Sequence, residues 1–403
     1  FWLFAETSEP VGKHGGFNPD YDAEIYWADP IITGPIAYLW EGAGLKNPDP
    51  SQVRIPSRFR GNLSRNAFSM TARGPNGFSA STRTVALGAF GSESTLHRFV
   101  LEGMAENARR AAGKRLLYFP YVEPAVGAGK GLLRSLSRRA ALIVTDDFPC
   151  FFLPHMVAAA ARQVECRFEA VDGNGLLPLA ATDAASPTAY AFRRILQKKL
   201  PQYLDSMPTA SPVDILELPT IEKLLVKGSG RPCDRASDDL LSGSAAALAR
   251  LPIDHSVGAA ALHGGSAAAE TTWQDFLYRK LLLYAENRNQ PDEDGASGLS
   301  PYLHFGHISV HQILNDLAAV ERWSPEDVGA GASGARAGWW RMSPPAEAFL
   351  EQAVTWREVG YHFCHHRPDY DRFSSLPAWA LATLAQHASD LRSPRYELED
   401  LAA

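Results

Sequence analysis

The sequence predicts an α/β segment built on a parallel sheet, followed by an all-α segment, and three observations predict it. Between residues 83 and 185 short apolar runs alternate with stretches that are apolar at 3.6-residue spacing, the pattern of strands joined by crossover helices. From about residue 270 onward the spacing is helical almost throughout, with apolar faces at i, i+3 and i+4. At 403 residues and 45% hydrophobic, the chain can bury a sizeable core and holds about two to three domains.

Residues 1–82 are rich in Pro, Gly, Ser and Asn, and their periodicity is poor. Arginine is frequent from Arg54 to Arg83, a run that reads as solvated coil or as a nucleic-acid arm. No function is assigned to this region. TVALGAF (residues 84–90) is strand-like. LHRFVLEGMAENARRAAGK predicts a helix stopped at Gly113. RLLYFPYV reads as a buried strand, LLRSLSRR as a helix, AALIVTDD as a second buried strand, VAAAARQVE as a helix and CRFEAVDGNG as a third strand. Thr145, Asp146, Asp147, Asp172 and Asn174 fall at the carboxyl ends of strands, where open α/β sheets bind ligands. The cluster from Val126 to Gly131 is not a P-loop. Pro124 replaces the first glycine, and Gly131 stands where a magnesium-binding hydroxyl belongs, so it predicts a turn before a helix. Residues 186–262, with five prolines from Pro201 to Pro232, form a connector whose parts pack as short helices. The all-α segment, residues 263–403, then carries four helical runs: TWQDFLYRKLLLYAENR, HISVHQILNDLAAVER, PPAEAFLEQAVTWREVGYHFC and SLPAWALATLAQHASD.

The charge balance narrows the function. With 39 basic and 45 acidic residues, net −6, there is no global nucleic-acid signature, so DNA binding must rest on a local basic face. Four scattered cysteines (Cys150, Cys166, Cys233, Cys364) without a CxxC pair fit reduced thiols in a cytoplasmic protein. No apolar run approaches the ~18 residues of a membrane span, and no signal peptide is expected. Cys364, His365 and His366 point different ways on a helix, so zinc is not expected. The chain starts at Phe1 and stops inside YELEDLAA, which reads as a fragment.

The most informative stretch is Tyr284 to Ser309, YAENRNQPDEDGASGLSPYLHFGHIS. A helical run stops at Asn289, Gln290 and Pro291, where proline removes an N–H and restricts the residue before it. After an acidic loop come Gly295 to Pro301 and a second apolar run. Small hydroxyl residues and glycine before a proline-led helix suit a phosphate, because a helix start leaves four N–H groups free. Ser300 followed by proline is equally an ordinary N-cap.

The wider wording resembles the flavin-binding segment of the DNA photolyase and cryptochrome family, closest to its class II photolyases and their bacterial relatives. TDDFPCFFLPHM, VDGNGLLPL and PTAYAFRR are similar to the later half of that family's antenna domain and the start of its connector. The resemblance, over roughly residues 83–403, implies a Rossmann-like α/β antenna domain at residues 83–185 and an all-α FAD-binding domain, both incomplete. It implies that Tyr284, Ser297, Gly298, Leu299 and Ser300 hold the pyrophosphate and ribose of FAD, with Arg288 and Asn289 near the flavin and substrate. Ala296 replaces a threonine common in the family, at a cost of roughly 0.5–1.5 kcal/mol for one lost hydrogen bond. It further implies an antenna pigment of deazaflavin or folate type, with Phe148, Phe151 and Phe152 as core residues or pigment contacts.

The second implied constellation is EQAVTWRE, from Glu351 to Glu358. Gln352 and Trp356, four apart on one face, stand where the family meets a pyrimidine dimer flipped out of DNA. Trp356 would pack on the bases, and Gln352 occupies the place of a glutamate that stabilises the electron-loaded dimer. Glutamine donates and accepts hydrogen bonds but supplies no charge or proton. Trp356 also reads as a helix-packing aromatic, and Arg357 with Glu358 as a surface ion pair. His362 stands where asparagine is expected. The implied function is light-driven repair of cyclobutane pyrimidine dimers in damaged DNA by reduced FAD, in a monomer with Arg288, Trp356 and Arg357 facing the substrate. Two alternatives stay open: a cryptochrome-like flavin photoreceptor without repair activity, and a non-catalytic nucleotide-binding protein.

Overall fold

In the computed structural model the described residues are 93–114, 116–125, 127–205, 207–210, 234–253, 255, 261–290 and 292–390, with the backbone of three short strands. The strand expected at residues 84–90 and the Arg54–Arg83 run lie outside them.

The strands are β1 (Leu3–Glu6) and β2 (Glu24–Trp27), an antiparallel pair, and β3 (Tyr38–Leu39), β4 (Ala140–Asp146) and β5 (Arg167–Val171), which form one sheet in that order. β4 and β5 run parallel, from Leu142 opposite Arg167 to Asp146 opposite Val171, and β3 is antiparallel to β4. The parallel pair matches the expected crossover. Its helix is α3 (Leu153–Gln163), which follows α1 (Glu93–Ala111) and α2 (Leu132–Ser137). α2 and α3 lay Leu132, Leu133, Leu136, Met156 and Ala160 over Ile143 of the sheet.

RLLYFPYV is not a strand. Tyr118, Tyr121 and Val122 are buried, yet the backbone is irregular save for one bridge at Val122. Pro120 has no N–H to give a ladder, and its carbonyl accepts the Ala236 N–H at 2.8 Å, so the segment pairs with the connector. The glycine cluster is a turn before α2, with positive φ at Gly127 and Gly131. Its Gly129 N–H donates to the Glu123 carboxylate at 2.8 Å.

The connector contributes α4 (Ala189–Lys199), capped by the Thr188 hydroxyl, and the single turns α5 (Pro201–Leu204), α6 (Asp238–Leu241) and α7 (Ala245–Leu248). The helical body follows: α8 (Ser266–Asp275), α9 (Tyr284–Asn287), α10 (Ser300–His304), α11 (Val310–Glu321), α12 (Pro344–Leu350), α13 (Arg357–His366) and α14 (Ala378–Gln386). One large core joins α8 to α13 with α4 and with α1, whose Phe99 ring lies 5.3 Å from Tyr302 and 4.6 Å from His307, while α14 buries no residue. Two helical runs change their hydrogen-bond period on the way. α8 passes through a π-turn at Phe276–Lys280 and a 3₁₀ turn at Leu281–Leu283 before α9, and α12 passes through a π-turn at Glu351–Trp356 into α13. π-turns inside helices concentrate at functional sites. No described helix is long and apolar enough to cross a membrane.

Candidate functional site

The first group of site residues is built on α9. Its Tyr284 ring is buried edge-on against Phe276 (5.3 Å) and Phe349 (5.6 Å). The Arg288 guanidinium lies 5.9 Å from the Tyr284 ring centre. Arg288 Nε is a buried donor with no partner, a group whose desolvation calls for an acceptor. Asn289 is exposed at the turn that ends the run.

The bend after it is held by contact. Gly295 presses on Asn287, where an added Cβ would stand 2.6 Å from the backbone carbonyl carbon. Gly298 takes φ +69°, a left-handed conformation natural to glycine. The Ser297 hydroxyl accepts the Leu299 N–H at 3.4 Å, and Leu299 is buried in the core. Ser300 is not an N-cap. Leu299 occupies that position, no side chain caps α10, and Ser300 is the first helical residue with its surface open. A bend with two hydroxyls, a left-handed glycine and an uncapped helix start can offer donors to an anion.

The second group lies on the run from α12 to α13, one helix away through the Phe349–Tyr284 contact. Glu347, Glu351, Thr355, Glu358 and His362 recur at helical spacing, the pattern of a solvated face, and every one of them is buried. Glu347 accepts the Gly338 N–H, and Glu351 pairs with Arg193 of α4 at 2.8 Å. Glu358 accepts the N–H groups of Leu176 (2.6 Å) and Leu177 (3.1 Å). His362 Nδ1 meets the Thr182 hydroxyl at 2.7 Å, and Thr182 also meets His366 Nε2 at 2.8 Å. The reading of Arg357 and Glu358 as a surface ion pair therefore fails. Glu358 is 1% exposed, and burial lifts its carboxyl to about 7 against the pull of the two N–H groups. Burial likewise holds His362 down to about 4.

With that face buried, the opposite one presents the residues of interest. Gln352 is half-buried and Trp356 is 49% exposed, so Trp356 is not the packing aromatic its sequence also allowed. Arg357 reaches back to donate to the Asn174 carbonyl and lies 4.8 Å from the Tyr361 ring centre.

No family model matches the chain. Curated relatives do. The deoxyribodipyrimidine photo-lyase of rice (Oryza sativa subsp. japonica) is 29% identical over 324 residues, 75% of this chain and 55% of the rice protein. That of Arabidopsis thaliana is 30% identical over 237 residues, 57% of this chain and 41% of the relative. That of Methanothermobacter thermautotrophicus is 26% identical over 315 residues, covering 77% and 60%. These relatives are all deoxyribodipyrimidine photo-lyases, and the similarity supports the expected resemblance to the DNA photolyase and cryptochrome family. It spans about half the length of the curated relatives it matches. Among solved structures, a class III photolyase from Agrobacterium tumefaciens aligns with a TM-score of 0.38 at 18% identity, covering 62% of this chain and 47% of that one. An archaeal photolyase from Sulfolobus tokodaii, solved with two FAD molecules, aligns at 0.39 and 14%, covering 76% and 58%.

The structure also brings together residues that the sequence left apart. At the carboxyl end of β4 the Asp146 carboxyl is buried without a hydrogen-bond partner, and burial raises it far above the usual carboxylate range. Burial and the neighbouring Asp172 raise Asp147. Phe148 packs in the α/β core against Tyr361 at 5.4 Å, and Phe152 borders that core. Phe151 instead takes a left-handed backbone, φ +60°, with its ring exposed and edge-on to His304 at 6.3 Å. The loops after β4 and β5 thus face α10 and α13. His311 joins this seam, held near 4 by burial and by the Arg357 charge.

Proposed function

We propose that this chain is a class II-like deoxyribodipyrimidine photolyase that acts on cyclobutane pyrimidine dimers in damaged DNA, as a cytoplasmic monomer. The observation that carries the reading is the pairing of a half-exposed Trp356 with Gln352 on a π-turn, one helix contact from Tyr284 and Arg288. An exposed indole is a stacking platform for an extruded base, of the order of 1–3 kcal/mol per base. A dimer is already unstacked, which lowers the cost of its extrusion.

The residues present fit FAD. Ser297, Gly298, Leu299 and Ser300 would take its diphosphate at the bend, beside Tyr284, while the unpartnered Arg288 Nε and exposed Asn289 would face the flavin side. Reduced flavin, when bound, supplies the light-driven electron that splits the dimer. The chain's own residues do the rest. Trp356 stacks on the dimer bases, the Gln352 amide hydrogen-bonds their carbonyls, and Arg357 offers positive charge to the DNA backbone. The loops after β4 and β5, in an antenna-type α/β domain, would hold a deazaflavin or folate-type pigment.

Incubating the FAD-reconstituted, reduced chain with a dimer-containing duplex under blue light tests the reading. Restored undamaged thymines are the expected result, and no repair despite bound FAD would sink it. That second outcome would favour a cryptochrome-like photoreceptor. The feature favouring it is Gln352, which cannot supply the charge or proton of a carboxyl.

A further inference from the structure

Glu351 and Arg193 form a buried ion pair, and the proposed chemistry does not use it. Their placement is specific. Glu351 is the first residue of the π-turn that ends at Trp356. Arg193 comes from α4 of the connector, 158 residues earlier in the chain. The guanidinium spans two targets: NH1 donates to Glu351 Oε1 at 2.8 Å and Nε donates to the Gly334 carbonyl at 2.9 Å. One turn on, Gln197 closes the same loop from both sides, accepting the Gly334 N–H at 2.8 Å and donating to the Ala335 carbonyl at 2.9 Å. Arg336, from that loop, brings a second guanidinium to 3.8 Å from Glu351. A connector helix, a surface loop and the π-turn are therefore tied at one carboxylate.

We propose that Arg193 is a positioning residue: through Glu351 it fixes the π-turn and so sets the direction in which Gln352 and Trp356 leave the helix. A π-turn carries poorer hydrogen bonds than the α-helix it interrupts and persists where its surroundings over-determine it. Here the restraint is the charge pair at its first residue. A buried ion pair adds little stability over an apolar pair of the same volume, so its role lies in fixing geometry. The proposal rests on the dimer-binding reading of Trp356, and the experiment separates the two.

The test uses the double variant Arg193→Met/Glu351→Leu, which removes both charges and leaves none stranded, beside Arg193→Lys, which keeps the charge and loses the fork spanning Gly334 and Glu351. Two quantities are read in the dark: amide hydrogen exchange across residues 352–356, and affinity for a duplex with one thymine dimer against the undamaged duplex. The double variant is expected to melt cooperatively near the wild-type temperature, to exchange these amides at least tenfold faster and to lose at least fivefold in dimer affinity. Arg193→Lys should fall between, and it decides the matter if the double variant does not fold. Wild-type exchange and wild-type dimer affinity in the variants overturn the proposal. If the wild-type chain and Trp356→Ala both bind damaged and undamaged DNA alike, the dimer-binding reading falls, and with it the directing role. Faster exchange would then leave Arg193 as a structural tie only.

Discussion

At the scale of single residues, position 352 decides most about chemistry. Glutamine there can hydrogen-bond a dimer but cannot carry charge, so Gln352→Glu is expected to raise the yield of light-driven repair at least several-fold, read as thymines restored per absorbed photon. Trp356→Ala should weaken binding to dimer-containing DNA by about 1–3 kcal/mol, the value of one lost stacking platform, while affinity for undamaged duplex stays nearly constant. Fluorescence anisotropy on the two duplexes checks this. An equal loss on both would mean that the indole serves the fold instead. Glu358 shows why a residue pair is hard to read from sequence. WRE looks like a charged surface step, yet Gly175 lets a loop backbone approach so closely that an added Cβ would lie 2.5 Å from the Glu358 carboxyl carbon.

At the scale of elements, the helical runs and their approximate ends were legible because apolar spacing and proline stops are local properties. The π-turns were not. A π-turn changes which side chains share a face without changing composition, and its cause lies in partners such as Arg193 that come from elsewhere. RLLYFPYV misled for a related reason: its apolar residues are buried, but Pro120 denies it a ladder, and burial without pairing is not a strand. The bend at residues 295–300 gives an element-scale prediction. Gly295→Ala drives a methyl into the Asn287 backbone, which cannot rotate away as a side chain would. The substitution should cost about 1–3 kcal/mol and loosen FAD binding by at least fivefold, measured by thermal melting and flavin titration. A variant that binds FAD as wild type would separate the bend from the cofactor.

At the scale of the whole molecule, the buried ionisable groups couple folding to pH with opposite signs. Burial holds His307 at about 3, and His311 and His362 at about 4, against an ordinary value near 6.5. Each is neutral in the fold, so its contribution is intact above pH 6.5 and is lost as pH falls toward those lower values, where the unfolded chain takes up the proton first. Glu358 works the other way. Its folded value near 7 lies above the ordinary 4.5, so its ionisation weakens the fold as pH rises from 4.5 to 7. The Asp146 and Asp147 carboxyls, also raised, act in the same sense as Glu358. His307 separates these effects most cleanly. Its Nδ1 accepts the Gly265 N–H at 2.9 Å while its Nε2 is buried without a partner. His307→Asn can keep the acceptor and removes the titration, so its melting temperature should fall less than that of wild type between pH 7 and pH 5. Parallel curves would show that His307 does not carry this dependence.

By itself the sequence determined the helical runs, the β4–α3–β5 crossover and the wording that resembles the photolyase family, since each is written in neighbours along the chain. Only the tertiary structure decided which polar face is buried, that Glu358 ties α13 to the loop after β5, and that Trp356 stands exposed. The physical reason is that burial of a charged stripe depends on donors brought from Leu176, Leu177 and Arg193, more than 150 residues away in sequence, and no local pattern records their arrival.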